Sequence, residues 1–273
     1  MSAVDKTTHL RVMTWNLWWR FGDAWRERGR GILSTLTALQ PDVVGLQEVW
    51  GTMATTQAHQ LAEQLGMHAA YAAPSLPPPP EPSGRPDQAG VEVGVAVLSR
   101  WPILTVHEHR FPSRHRPEIV ALAAVLDHPR GPLHVVVSCL DWEPEPAAQP
   151  TDQTRSLVAL ATDPARDGPL PVLLTGDLNA PPTTPKIRVL TEVMVDAWVA
   201  ANGTADPGHT MSTSNPLAPR EAGPLIDQRI DYVLVRPGTP AHPVVVTMAF
   251  LAGDPQQGRY PSDHYAVVAD FRL

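Results

Sequence analysis

Pro171-Val172-Leu173-Leu174-Thr175-Gly176-Asp177-Leu178-Asn179-Ala180 is an apolar run that breaks off into an acid and an amide. Its first half reads as a buried strand. Asp177 and Asn179, two residues apart, would share one face of the extended chain. A carboxylate so placed can hold a hard cation or a water, and the amide can hydrogen-bond an anionic oxygen beside it. Gly, Asp and Asn also favour plain turns, so this stretch alone leaves both readings open.

Four other polar groups stand at strand-like runs. Leu10-Arg11-Val12-Met13-Thr14-Trp15 ends in Asn16, and Val43-Val44-Gly45-Leu46-Gln47 ends in Glu48. Arg229-Ile230-Asp231-Tyr232-Val233-Leu234-Val235 carries an acid inside an apolar strand, and Ser262-Asp263-His264-Tyr265 opens the last strand, Ala266 to Asp270. Each has an ordinary explanation as a cap, a surface acid or a satisfied histidine. Together, in this order, they point to one polar rim.

The segments Thr14-Trp15-Asn16, Leu46-Gln47-Glu48-Val49, Gly176-Asp177-Leu178-Asn179-Ala180, Arg229-Ile230-Asp231-Tyr232 and Ser262-Asp263-His264 resemble the endonuclease/exonuclease/phosphatase superfamily. That group spans deoxyribonuclease I-like nucleases, abasic-site endonucleases, neutral sphingomyelinases, inositol-polyphosphate 5-phosphatases and deadenylases. The resemblance runs from about Leu10 to the C-terminus. It implies a four-layer α/β sandwich, two mixed β-sheets face to face with helices outside. It leaves the substrate open, because fold does not fix function.

With 273 residues and 43% hydrophobic content, the chain can bury a full core, and we read one domain over 1–273 with a tail at 1–8. No apolar stretch is long enough to span a bilayer, and the N-terminus lacks the pattern of a secretory signal. One cysteine excludes an internal disulfide and fits a reducing compartment, so cytoplasm is the expectation. The net charge of −7, without a Lys/Arg-rich run, argues against broad non-specific nucleic-acid binding. A basic stripe at Arg110, Arg114, His115 and Arg116 reads more simply as a solvated loop. A small phosphorylated substrate is the expected partner, with nucleic acid second.

Trp25, Ile32, Leu33, Leu36 and Leu39 predict a helix over 25–39, stopped by Gln40-Pro41 and joining the first two strands as a crossover. A second helix is expected over 53–65. Strands are expected at 93–98, 120–126 and 133–138, the last two as a hairpin through Pro129-Arg130-Gly131-Pro132. A helix at 153–161 precedes the strand that leads to Asp177. The proline-rich loop 74–88 reads as a surface insert. The turn-rich stretch 203–224, which contains His209-Thr210-Met211-Ser212, is a candidate specificity loop with His209 as a possible substrate contact.

Hydrolysing a phosphate ester requires neutralised phosphoryl charge, an activated water and a stabilised leaving oxygen. The resemblance implies Glu48 as metal ligand, with Asn16 and Asp263 near the ion or its waters, and Mg²⁺ or Mn²⁺ as the ion. It implies Asp177 as the group that orients or deprotonates water, Asn179 as a phosphate contact, and His264, oriented by Asp231, in phosphate contact or proton transfer. Zinc is disfavoured by the single cysteine and the histidine spacing.

One departure stands out. The family usually carries a second histidine in a Thr-His-Leu pattern, and here Ser138-Cys139-Leu140 takes that place, followed by Asp141-Trp142. A neutral thiol binds phosphate poorly, and Glu92, which by position could face this site, loses its imidazole partner. Cys139 reads equally well as a small buried apolar residue. The leading expectation is a metal-dependent phosphohydrolase, the second a nuclease, and the third a non-hydrolytic protein or a different catalyst on the same fold.

Overall fold

The computed structural model describes residues 8–73, 86–113, 118–143 and 152–273. β1 (His9–Asn16), α1 (Trp25–Leu39), β2 (Val43–Gly51), α2 (Gln57–Leu65), β3 (His68–Ala72) and β4 (Glu92–Ser99) come first. They are followed by β5 (Ile103–Pro112), β6 (Glu118–His128), β7 (Gly131–Cys139), α3 (Asp152–Thr162), β8 (Val172–Asp177) and α4 (Pro185–Thr191). The chain ends with β9 (Val195–Asp196), α5 (Ala197–Asn202), β10 (Asp231–Arg236), β11 (Val245–Ala252) and β12 (Ala266–Arg272).

The strands form two six-stranded sheets, ordered β11-β12-β1-β2-β4-β3 and β5-β6-β7-β8-β10-β9. Both are mixed. β1 and β2 run parallel across α1, β7 and β8 run parallel across α3, and the remaining pairs are antiparallel. A parallel pair needs such a crossover, and a helix supplies it.

Three apolar interfaces define four layers. Leu10, Val12, Val95 and Val97 of one sheet meet Leu122, Val135, Leu173 and Val233 of the other. Ile32 and Leu36 of α1, with Leu61 of α2, cover the outer face of the first sheet over Met13, Val44 and Leu98. Leu157 of α3 and Ile187 and Leu190 of α4 do the same for the second sheet. This alternation of inward and outward apolar residues on fully covered strands is what a buried sheet requires. Gly45 faces the opposite sheet closely, and an added Cβ there would run into the Thr175 side chain and Val137.

Several expectations shift. The second helix starts at Gln57 rather than at 53, because Thr56 caps it by accepting from the His59 amide. β2 does not stop at Glu48: a bulge between Leu46 and Val49 carries the strand on to Gly51. Asp231 opens β10 instead of lying inside it. The strands of 93–98 and 120–126 are not consecutive, since the mostly exposed strand β5 lies between them with little apolar alternation to announce it. The short elements α4 and α5 also went unread. The hairpin of β6 and β7 turns at the expected place. Of the proline-rich loop, residues 74–85 lie outside the described residues, as do Arg114, His115 and Arg116. No helix among the described residues is long and apolar enough to cross a membrane.

Candidate active site

Strand ends from both sheets meet at one rim. Asn16 ends β1, Asp177 ends β8 and Asp231 opens β10 directly opposite Asp177 in register. Asp263 and His264 lie just before β12. Glu48 reaches the same rim from the bulge of β2, with a left-handed backbone at φ 51°. That conformation is costly for a glutamate, and flanking hydrogen bonds hold it: Leu17 N–H donates to the Gln47 carbonyl and Trp19 N–H to that of Glu48, each at 2.9 Å. Bulges commonly re-aim a side chain in this way.

Asn16 is fully buried, and its Nδ2 donates to Glu48 Oε1 at 2.9 Å and to Asp177 Oδ2 at 3.0 Å. Its Oδ1 accepts from the Trp18 amide at 2.9 Å. The carboxamide thus joins the two carboxylates. Asp177 Oδ1 accepts from the Asn179 amide at 3.0 Å, and the side chain of Asn179, itself at φ 48°, donates to the Leu140 carbonyl at 2.9 Å. His264 Nδ1 lies 2.9 Å from Asp231 Oδ2, while its Nε2 lies 3.9 Å from Asp177 Oδ2. Asp177, Asp231 and His264 can bring one ligand atom each within 4.8 Å of one another.

The electrostatics are those of a site short of positive charge. Burial pushes the Asp177 carboxyl up to about 7, with the Asp231 carboxylate adding to it. Burial likewise lifts Asp263 to about 7, and Glu48 contributes after it. Glu48 is raised for the same first reason. For His264, burial favours the neutral ring, but the carboxylates of Asp231, Asp263 and Asp177 outweigh it and hold the imidazole well above its ordinary value. Glu48 Oε2 and Asp231 Oδ1 are buried oxygens with no hydrogen-bond partner among the described residues. Buried carboxylate oxygens without a hydrogen-bond partner suit a hard divalent cation.

Other residues complete the site and were not singled out in the sequence. Arg28, on α1 and 2% exposed, donates to the carbonyls of Leu17, Trp18, Trp19, Phe21 and Pro261. It sits behind Asp263 and Glu48, and burial lowers it to about 10 despite those acids. Thr210 Oγ1 accepts from the amides of Ile230 and Asp231, and Asn215 Nδ2 donates to the Ser262 carbonyl. Ser262 Oγ donates to the Asn16 carbonyl at 2.7 Å. A charged residue on the predicted buried stripe of α1 was the one available signal for Arg28. For Thr210 and Asn215 only their place in a turn-rich stretch hinted at a role.

The remaining candidates fall elsewhere. Cys139 is fully buried in the apolar layer between the sheets, at the end of β7 and in register with Asp177. Glu92, on the other sheet, is exposed, and its carboxylate acts on the Tyr71 hydroxyl. The half-buried ring of His209 makes no hydrogen bond to the cluster among the described residues. Arg110 is exposed and paired at 2.7 Å with both Glu108 and Glu118.

The profile of the Endonuclease/Exonuclease/phosphatase family matches residues 13–264. Among solved structures, an endonuclease/exonuclease/phosphatase from Beutenbergia cavernae is 27% identical, with a TM-score of 0.73 over 97% of this chain and 72% of that one. The catalytic domain of human Nocturnin with bound sulfate is 23% identical, with a TM-score of 0.68 over 97% and 93%. A humanised TDP2 from D. rerio is 19% identical, with a TM-score of 0.73 over 97% and 100%. The last two likenesses are of fold. No curated protein matches the sequence.

Proposed function

The chain belongs to the endonuclease/exonuclease/phosphatase family, and we propose that it is a Mg²⁺- or Mn²⁺-dependent phosphohydrolase acting on a small phosphate ester. The observation that carries this reading is the joined set of Asn16, Glu48 and Asp177 beside the Asp231–His264 pair. Glu48 and Asp263 would hold the cation, since Glu48 offers an unpaired buried oxygen and both carboxyls are raised by burial and crowding. When bound, a divalent cation neutralises phosphoryl charge and lowers the proton affinity of water.

The chain's own groups supply the rest. Asp177, with a carboxyl near neutrality, is matched to taking a proton from water at ordinary pH. The Asn179 amide fixes Asp177 Oδ1, so the carboxylate keeps one orientation. His264 receives orientation at Nδ1 from Asp231 and presents Nε2 towards Asp177, where a protonated ring can stabilise a phosphoryl oxygen. Asn16 donates to both Glu48 and Asp177 and so ties the two carboxylates together.

A nuclease is the second reading. The indole of Trp142, 51% exposed and two residues beyond Leu140, offers a face on which a base can stack. A panel of bis-p-nitrophenyl phosphate, p-nitrophenyl phosphate, inositol phosphates, sphingomyelin, RNA and supercoiled plasmid, assayed with Mg²⁺ and Mn²⁺, separates the two. Turnover of small esters with poor plasmid nicking supports the first reading. Efficient nicking at physiological salt with little small-ester turnover puts the nuclease first.

A further inference from the structure

Between α1 and α2, on the outer side of the first sheet, lies a cleft of about 480 Å³ that the chemistry above does not use. Arg20, Arg26, Arg30, Trp25, Trp50 and Gln57 line it. It lies near the rim in the chain, because β1 and β2 run parallel with Asn16 paired to Gln47. Arg20 follows closely on Asn16, and Trp50 on Glu48.

Arg20 is 8% exposed, its guanidinium carbon 4.2 Å from the Trp25 ring centre and 4.4 Å from that of Trp50, two indoles that meet edge to face at 6.0 Å. Contact with both rings restricts the guanidinium and leaves N–H groups to donate. Nη1 donates to the Asp87 carbonyl, while the buried Nε has no partner among the described residues. Gln57 is 7% exposed, and its Oε1 is likewise unpaired. Its carboxamide can turn either edge to a ligand. Arg26 stacks on Trp25 at 4.3 Å from the solvent side. The nearest acids are already engaged: Asp87 Oδ2 accepts from Trp25 Nε1 at 2.8 Å, and Glu27 lies 3.6 Å from Arg30. Among the described residues no carboxylate lines the cleft. A buried donor left unpaired is costly, and clustered guanidinium edges match phosphate oxygens.

We propose that this cleft is an anion subsite that takes a second phosphate group of the substrate, distal to the ester being cleaved. That the anion belongs to a substrate rests on the phosphohydrolase reading above; that the cleft binds an anion does not. The chemistry selects molecules with more than one phosphate over simple monoesters.

The test is a calorimetric titration of pyrophosphate into the metal-free protein, where the acidic rim repels anions. Wild type should bind, and Arg26→Gln/Arg30→Gln, which changes only exposed side chains, should bind on the order of tenfold more weakly with unchanged melting temperature and Mn²⁺ affinity. Absence of pyrophosphate binding to wild type, or equal affinity in the variant, overturns the subsite. Bis-p-nitrophenyl phosphate turnover by wild type is measured separately, so that a failed phosphohydrolase reading is seen on its own while the titration still decides the cleft.

Discussion

Glu48 illustrates what one side chain contributes at the rim. Its strained backbone, its bond from Asn16 and its unpaired Oε2 make sense if a cation balances it. In the metal-free protein Glu48→Gln removes a crowding charge, so the melting temperature should stay level or rise, while Mn²⁺ affinity by calorimetry falls at least tenfold. Undiminished Mn²⁺ affinity would remove Glu48 from the metal site. Asp177→Asn and His264→Ala should each lower turnover on the order of a thousandfold. Cys139→Ala should change turnover less than about threefold, because the thiol lies in the apolar layer. A loss for Cys139→Ala as deep as for Asp177→Asn, in steady-state rates at saturating Mn²⁺, would make the cysteine catalytic. At this scale the acids, amides and histidine of the rim were legible, since each stands in or beside an apolar run. Arg28 was not, because a buried arginine satisfied by backbone carbonyls reads in sequence like any polar position on a helix.

At the scale of elements, α1 does more than close the crossover from β1 to β2. Through Arg28 it gathers the carbonyls of the segment that follows β1 and of Pro261, just before Asp263. Arg28→Met keeps the bulk but leaves those carbonyls unpaired and strips a cation from behind Asp263 and Glu48. The expected cost is about 3–5 kcal/mol, read as a shift of the urea midpoint at constant slope. A shift below about 1 kcal/mol would mean the carbonyls find other partners. The bounds of α1 were legible because its apolar stripe and stop signal agree. The start of α2 was missed because a threonine cap outweighs the apolar residues before it. β5 was missed because an exposed strand has no buried face to print a period of two.

At the scale of the whole molecule, two sheets bring acids from distant parts of the chain into one low-dielectric rim, and stability depends on pH as a result. Asp177 and Asp263 carry carboxyls raised to about 7, so between about pH 4 and 7 the folded state binds more protons than the unfolded one. Stability therefore falls as pH rises through that window. The raised His264 has the same sign, its contribution being full below its ordinary value and lost as pH climbs through its folded value. The metal-free melting temperature should drop by roughly 5 °C or more from about pH 5 to about pH 8, and Mn²⁺ should restore more of it at the higher pH. A flat or rising profile would contradict the crowded-carboxyl picture. The four-layer architecture was legible through the motifs and the family resemblance they carry, whereas the cleft between α1 and α2 was not, because it depends on residues from three separate segments packing side by side.

On the reading proposed above, this rim hydrolyses phosphate esters with a divalent cation and Asp177. The most direct measurement is steady-state turnover of the best ester from the panel, by wild type and Asp177→Asn, across a Mn²⁺ titration from a chelator-treated start. Wild-type turnover should be absent without metal, saturate with Mn²⁺, and be on the order of a thousandfold lower in Asp177→Asn at saturation. Turnover that persists without metal, or that survives in Asp177→Asn, would contradict it.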